Sequence, residues 1–96
     1  MMLYTFSQSN YTTHELIQHL QNTTAQDAIV LWQDGVYLLV KYPTIFEKAN
    51  ASCYALAIDL ESRNLMTMFN KQDKIKQISL SELVKLTEQH TPQFAL

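Results

Sequence analysis

The chain has 96 residues, a formal charge of −2, one glycine and one cysteine. That length supports one small domain, residues 1–96, burying roughly 60–65% of the surface its unfolded form exposes. The charge balance offers no basic footprint for direct grip on nucleic acid, a lone cysteine excludes an internal disulfide, and no apolar run nears the ~20 residues that span a bilayer.

Charged residues make up only 17% of the chain, against a usual ~25%, so part of the surface reads as covered by a partner. The N-terminus lacks a basic region followed by an apolar core, so no secretory signal is read there. With one unpaired cysteine, this predicts a cytoplasmic protein in a reducing compartment.

Met2 to Phe6 reads as a first short strand. Thr12 and Glu15 then form a T-x-x-E capping box, with Tyr11 and Leu16 as the hydrophobic staple around it. Leu16, Ile17 and Leu20 fall on one face of the helix that follows. Ala28 to Gln33 is an apolar second strand, of the unbroken kind covered on both faces in parallel sheets.

Gln33-Asp34-Gly35 stops that strand, and Val36 to Val40 is read as a short helix capped by Asp34. Thr44 and Glu47 predict another helix start after Pro43. Ser52 to Ala57 is a third strand, and Asp59 is expected to cap a helix through Leu60, Arg63 and Leu65. Ile75 to Ile78 is a fourth strand whose lysine suggests a sheet edge. Ser79 and Glu82 cap the last helix, with Leu80, Leu83, Val84 and Thr87 as its expected core face, and Thr91-Pro92 ends it. Alternating strands and helices predict a three-layer α/β/α domain: an open, mostly parallel sheet of about four strands with helices on both faces.

Several chemistries are excluded. One glycine cannot make a dinucleotide fingerprint or a Walker loop. A receiver-type carboxylate cluster fails because only Asp34 and Asp59 stand at strand ends. His14 and His19 are five apart on a helix and diverge around its axis, and His90 has no ligand partner at useful spacing. The histidines read as solvated or helix-end residues, and neither a metal nor a cofactor is expected.

Asp34 and Gly35 occupy the carboxyl end of a strand, where open α/β sheets place their sites. One carboxylate and one glycine make no mechanism, so they read as a turn that admits no Cβ or needs positive φ. Cys53 is the one nucleophile and points with Ala55 into a two-sided sheet, a place for a packed thiol. Leu65 to Phe69, followed by the polar Asn70 to Asp73, reads either as a loop packed on the core or as a methionine-rich docking surface. Met66, Met68, Phe69 and, in the apolar tail, Phe94 are the candidate partner contacts. No catalytic residue is assigned.

With these residues in view, the chain resembles the TusB/DsrH family of sulfur-relay proteins. The likeness runs nearly end to end, through Met2-Leu3-Tyr4-Thr5-Phe6, Leu31-Trp32-Gln33-Asp34-Gly35-Val36, Tyr54-Ala55-Leu56 and His90-Thr91-Pro92-Gln93. It implies a subunit of a TusBCD-like complex that passes persulfide sulfur towards 2-thiouridine at the wobble position of tRNA. It further implies assembly with TusC-like and TusD-like chains as a dimer of heterotrimers, the TusD-like chain carrying the active cysteine and a TusE-like protein receiving the sulfur. The DsrH branch has a cysteine late in the first helix, where this chain reads His14-Glu15-Leu16-Ile17-Gln18-His19-Leu20. The resemblance therefore implies a non-catalytic, TusB-like subunit. The alternatives are a sulfurtransferase carrying persulfide on Cys53 and a stand-alone α/β binding protein.

Overall fold

The computed structural model describes residues 1–69 and 74–96. Five strands form one sheet: β1 (Leu3–Phe6), β2 (Ala28–Leu31), β3 (Ser52–Leu56), β4 (Lys76–Ile78) and β5 (Gln93–Ala95). Their order is β4-β3-β2-β1-β5 and every neighbouring pair is parallel. The lysine-bearing β4 is an edge, as its sequence predicts. The fifth strand is a correction to the four expected: the tail residues Gln93–Ala95 pair with Leu3, Tyr4 and Thr5.

The chain steps from β1 through β4 in one direction, then returns across the whole sheet to β5. Right-handed crossovers put helices of steps in one direction on one face and the returning helix on the other. The core divides accordingly. One face carries α1 (Thr13–Leu20), a 3₁₀ turn (Gln33–Tyr37), α2 (Leu38–Lys41), α3 (Pro43–Glu47), α4 (Ala57–Ser62) and α5 (Met66–Phe69). Leu16, Leu20, Leu38, Phe46 and Leu60 from these elements pack with Phe6, Ile29, Leu31 and Ala55 of the strands. The opposite face carries α6 (Leu80–Gln89), where Leu83 and Leu86 cover Leu3, Ala28, Val30, Trp32 and Tyr54.

Of the three predicted T/S-x-x-E starts, those at Thr12 and Ser79 form capping boxes. Thr12 Oγ1 accepts from Glu15 N–H at 3.2 Å while Glu15 accepts from Thr12 N–H at 3.0 Å, and Ser79 and Glu82 repeat the pattern at the same distances. These carboxylates accept backbone N–H bonds, which hold both below their ordinary pKa.

Other local expectations fail for identifiable reasons. Asp34 does not cap a helix; it lies inside the 3₁₀ turn, whose N-cap position belongs to Trp32. Asp59 is not a cap either, because α4 begins at Ala57 and Asp59 sits in its first turn. Pro43 starts α3 at its first helical positions, which places Thr44 within the helix rather than before it. The Leu65 to Phe69 segment includes the short helix α5 rather than a loop, and Met66 packs on the core. Asn70 to Asp73 lies outside the described residues, as do the side chains of Met68 and Phe69.

On α6 the expected face is rotated: Leu80 is 57% and Val84 54% exposed, while Leu83 and Leu86 do the packing. Ile17 on α1 is likewise 48% exposed.

Candidate functional site

At the carboxyl edge of β2 the chain turns into the 3₁₀ segment. Trp32 N–H donates to Phe6 O at 3.2 Å, and Gly35 N–H donates back to Trp32 O at 3.0 Å. Between them Gln33 adopts φ 52, a left-handed conformation that costs a residue with a Cβ about 1 kcal/mol or more. Gln33 N–H there donates to Asp59 Oδ2 at 2.7 Å. This bond ties the exit of β2 to the helix that follows β3.

Gly35 is buried, and its φ is not positive. Its requirement is space. A Cβ at this position would sit inside the van der Waals envelope of the Phe6 carbonyl oxygen, 2.7 Å from the carbonyl carbon and 3.3 Å from Ser7 N. The lone glycine is there because the turn presses on the end of β1.

Arg63 closes the arrangement. Its Nε and Nη2 both stand 3.0 Å from Asp34 Oδ1, and its Nη1 lies 3.3 Å from Asp59 Oδ1, an i,i+4 pair between the first turn of α4 and its C-cap. The guanidinium carbon is 6.0 Å from the centre of the Tyr37 ring. Bonding to Asp34 raises the already high pKa of Arg63, so the cation is permanent. The cluster is thus two carboxylates clamped by one guanidinium, with the Ser62 hydroxyl accepting from Arg63 Nη1 at 3.1 Å and donating to Asp59 O at 3.2 Å. Sequence reading singled out Asp34 and Gly35 but did not join Arg63, Asp59 and Gln33 to them. The i,i+4 spacing of Asp59 and Arg63 was the available signal.

Cys53 stands apart from this edge, in β3. It is buried and its thiol faces Phe46 O at 3.6 Å and Ala51 O at 3.8 Å. Burial pushes its pKa up to about 11, although Lys74 pulls the other way. Lys74 itself is engaged with the Glu47 and Ala49 carbonyls. A thiol so placed stays protonated at neutral pH and is a poor nucleophile.

The histidines do not converge. His19 lies edge-on to Phe6 and Tyr11, and His90 at the end of α6 is buried with Nδ1 3.0 Å from Leu86 O. Among the described residues no group of three His, Cys, Asp or Glu side chains is arranged to hold a metal ion. No described helix is long and apolar enough to cross a membrane.

Of the apolar residues expected at partner contacts, Phe94 is 42% exposed on β5 and stacks on Tyr4 with ring centres 5.6 Å apart. Met66 belongs to α5, which adjoins α2 and α4, so the two are not on one continuous patch. Beside Phe94, an apolar groove of about 450 Å³ runs between α6 and the β1–β5 pair, lined by Leu3, Trp32, Leu83 and Val84. Trp32 Nε1 is buried here with no hydrogen-bond partner among the described residues.

The sequence profile of the family described as DsrH like protein matches residues 8–93. The chain belongs to the DsrH-like family. It is 48% identical over 95 residues to an uncharacterized protein of Haemophilus influenzae, covering 99% of this chain and all of the other. The solution NMR structure of protein Tm0979 from Thermotoga maritima superposes with a TM-score of 0.68 at 25% identity, covering 93% of each chain. Membership of the DsrH-like family supports a role related to sulfur relay. Within this DsrH-like chain, ion pairs to Arg63 hold the carboxyl-edge cluster together, and Cys53 is buried.

Proposed function

We propose that this DsrH-like chain is a non-catalytic subunit of a cytoplasmic sulfur-relay hetero-oligomer. It assembles with TusC-like and TusD-like chains and supports persulfide transfer to a TusE-like acceptor for 2-thiolation of the wobble uridine of tRNA. The observation that carries this reading is the enclosure of Cys53. A relay carrier must present a thiolate to its donor and its acceptor, whereas this thiol is buried and its pKa is raised to about 11. The chain's contribution is therefore surface. The Arg63-clamped turn and the exposed apolar residues Ile17, Leu80 and Val84 are features suited to docking against a partner.

The test is complementation. In a strain lacking this chain, Cys53→Ser should restore tRNA thiolation close to wild type, and tagged protein should bring down TusC-like and TusD-like partners. Loss of thiolation at unchanged protein level and unchanged co-purification would make Cys53 the carrier and overturn the proposal.

A further inference from the structure

We infer that the groove between α6 and the β1–β5 pair binds a neutral, largely apolar small molecule carrying a carbonyl-type oxygen, which the Trp32 indole N–H holds. The groove lies on the α6 face of the sheet, whereas Cys53 packs with the helices of the other face, so its use is independent of sulfur relay.

Its dimensions decide what kind of occupant fits. The groove holds about 450 Å³, within the roughly 300–1,000 Å³ usual for small-molecule sites. One turn of α-helix, about 10 Å across, takes roughly 420 Å³, so a partner helix would find room for little more than a single turn. A partner strand would lie beside β5 in the plane of the sheet and leave the groove, which runs over its face, unfilled. A compact molecule matches the space.

The lining decides its polarity. No residue of the groove is ionisable, so a charged group bound there would be buried without a partner and is rejected. Leu3, Leu83, Val84 and Phe94 supply apolar walls. Of these, Val84 is 54% and Phe94 42% exposed, apolar surface that an occupant takes out of water.

Hydrogen bonding singles out Trp32. The other polar side chains of the lining already donate to backbone carbonyls: Thr5 Oγ1 to Phe94 O at 3.5 Å, Thr87 Oγ1 to Val84 O at 2.6 Å and Gln93 Nε2 to Thr87 O at 3.1 Å. Trp32 Nε1 is buried with no partner among the described residues. A buried donor left unpaired forfeits its hydration without return, and an indole N–H donates but cannot accept. The missing partner is therefore an acceptor, and the open groove beside the ring leaves room for the indole to turn towards it. A carbonyl oxygen on an apolar frame meets both limits, being an acceptor without charge.

The experiment titrates the full, isotope-labelled chain with 2-acetylnaphthalene, and with 2-ethylnaphthalene and 2-naphthoate as controls. It follows the indole N–H resonance by NMR, which is single because the chain has one tryptophan. The ketone should move that proton downfield and bind about tenfold tighter than the hydrocarbon of the same shape, with the carboxylate weakest. Trp32→Phe, followed on the amides of Leu83, Val84 and Ala95, should bind ketone and hydrocarbon equally. If that variant does not fold, Val84→Glu sets a carboxylate at the groove from a mostly exposed helix position and should weaken the ketone about tenfold or more. Equal affinity of the wild type for ketone and hydrocarbon overturns the inference, as does tightest binding of the carboxylate or no binding of any probe. An indole resonance that moves only when a protein partner is added overturns it too and makes the groove a protein interface.

Discussion

Replacing Gly35 by alanine drives a methyl group into the carbonyl at the end of β1. The ideal Cβ lies 2.7 Å from the Phe6 carbonyl carbon and closer still to its oxygen, and both belong to the backbone of a central strand rather than to a yielding side chain. Two costs add. Overpacking a tight site costs about 1–3 kcal/mol. Pushing Phe6 O away also strains the 3.2 Å bond it accepts from Trp32 N–H, on the order of 1 kcal/mol. Alanine recovers roughly 0.4–1 kcal/mol by restricting the unfolded chain, since φ here is not positive. The net loss is about 2–3 kcal/mol, which for a chain of this size lowers Tm by roughly 10–20 °C. Asp34→Asn is the control, because Asp34 is 64% exposed and its pairing with Arg63 is worth at most about 1 kcal/mol. Urea titrations of both variants, with slopes compared to exclude a change in the denatured state, measure the difference. An unchanged midpoint for Gly35→Ala would refute the close-approach argument. A folded Asp34→Asn protein that still co-purifies with its partners but no longer supports thiolation would mean that the turn is an active site.

Three further outcomes follow from the same geometry. Asp59→Ala should cost about 1.5–3 kcal/mol in urea titrations, more than Asp34→Asn, because it leaves the Gln33 N–H, now bonded at 2.7 Å, without its carboxylate and the Arg63 guanidinium with Asp34 alone. Burial raises the pKa of Asp27, but N–H bonds from Met2 and Thr24, both 2.9 Å, outweigh it and hold the group below its ordinary value. Its stabilisation is therefore complete above the unfolded pKa of about 3.9 and is lost as pH falls through the lower folded value. Asp27→Asn should flatten that part of the acid limb in a pH series of urea midpoints, leaving the part due to Glu15 and Glu82. On α6, Leu83→Ala should cost about 1.5–3 kcal/mol and Val84→Ala no more than about 0.5, since Leu83 packs on Leu3 and Val30 while Val84 is mostly in solvent. Equal costs in thermal melts would return Val84 to the core.

The residues of this chain determine by themselves whatever depends on neighbours within one helical turn. Thr12 with Glu15 and Ser79 with Glu82 start helices because donor and acceptor are three residues apart and need nothing else. The apolar run Ala28–Leu31 declares a strand buried on both faces, and Lys76 marks an edge. The five-strand architecture needed more. A three-residue tail becomes a strand only because β1 has a free side, and Thr5 reaches Phe94 across 89 positions of sequence. Asp34 and Asp59, each a sound cap in isolation, are drawn off by Arg63 and Gln33, whose bonds span 29 and 26 positions. The buried face of α6 was set by where the returning crossover lands on the sheet, which rotated Leu83 and Leu86 inward and left Leu80 and Val84 out. Gly35 shows both halves in one residue: its place after an apolar strand marks a turn, but only the folded sheet supplies the Phe6 carbonyl that forbids a side chain there. Local hydrogen bonds are written in sequence spacing, whereas steric exclusion and ion pairing between distant segments exist only once the chain has closed.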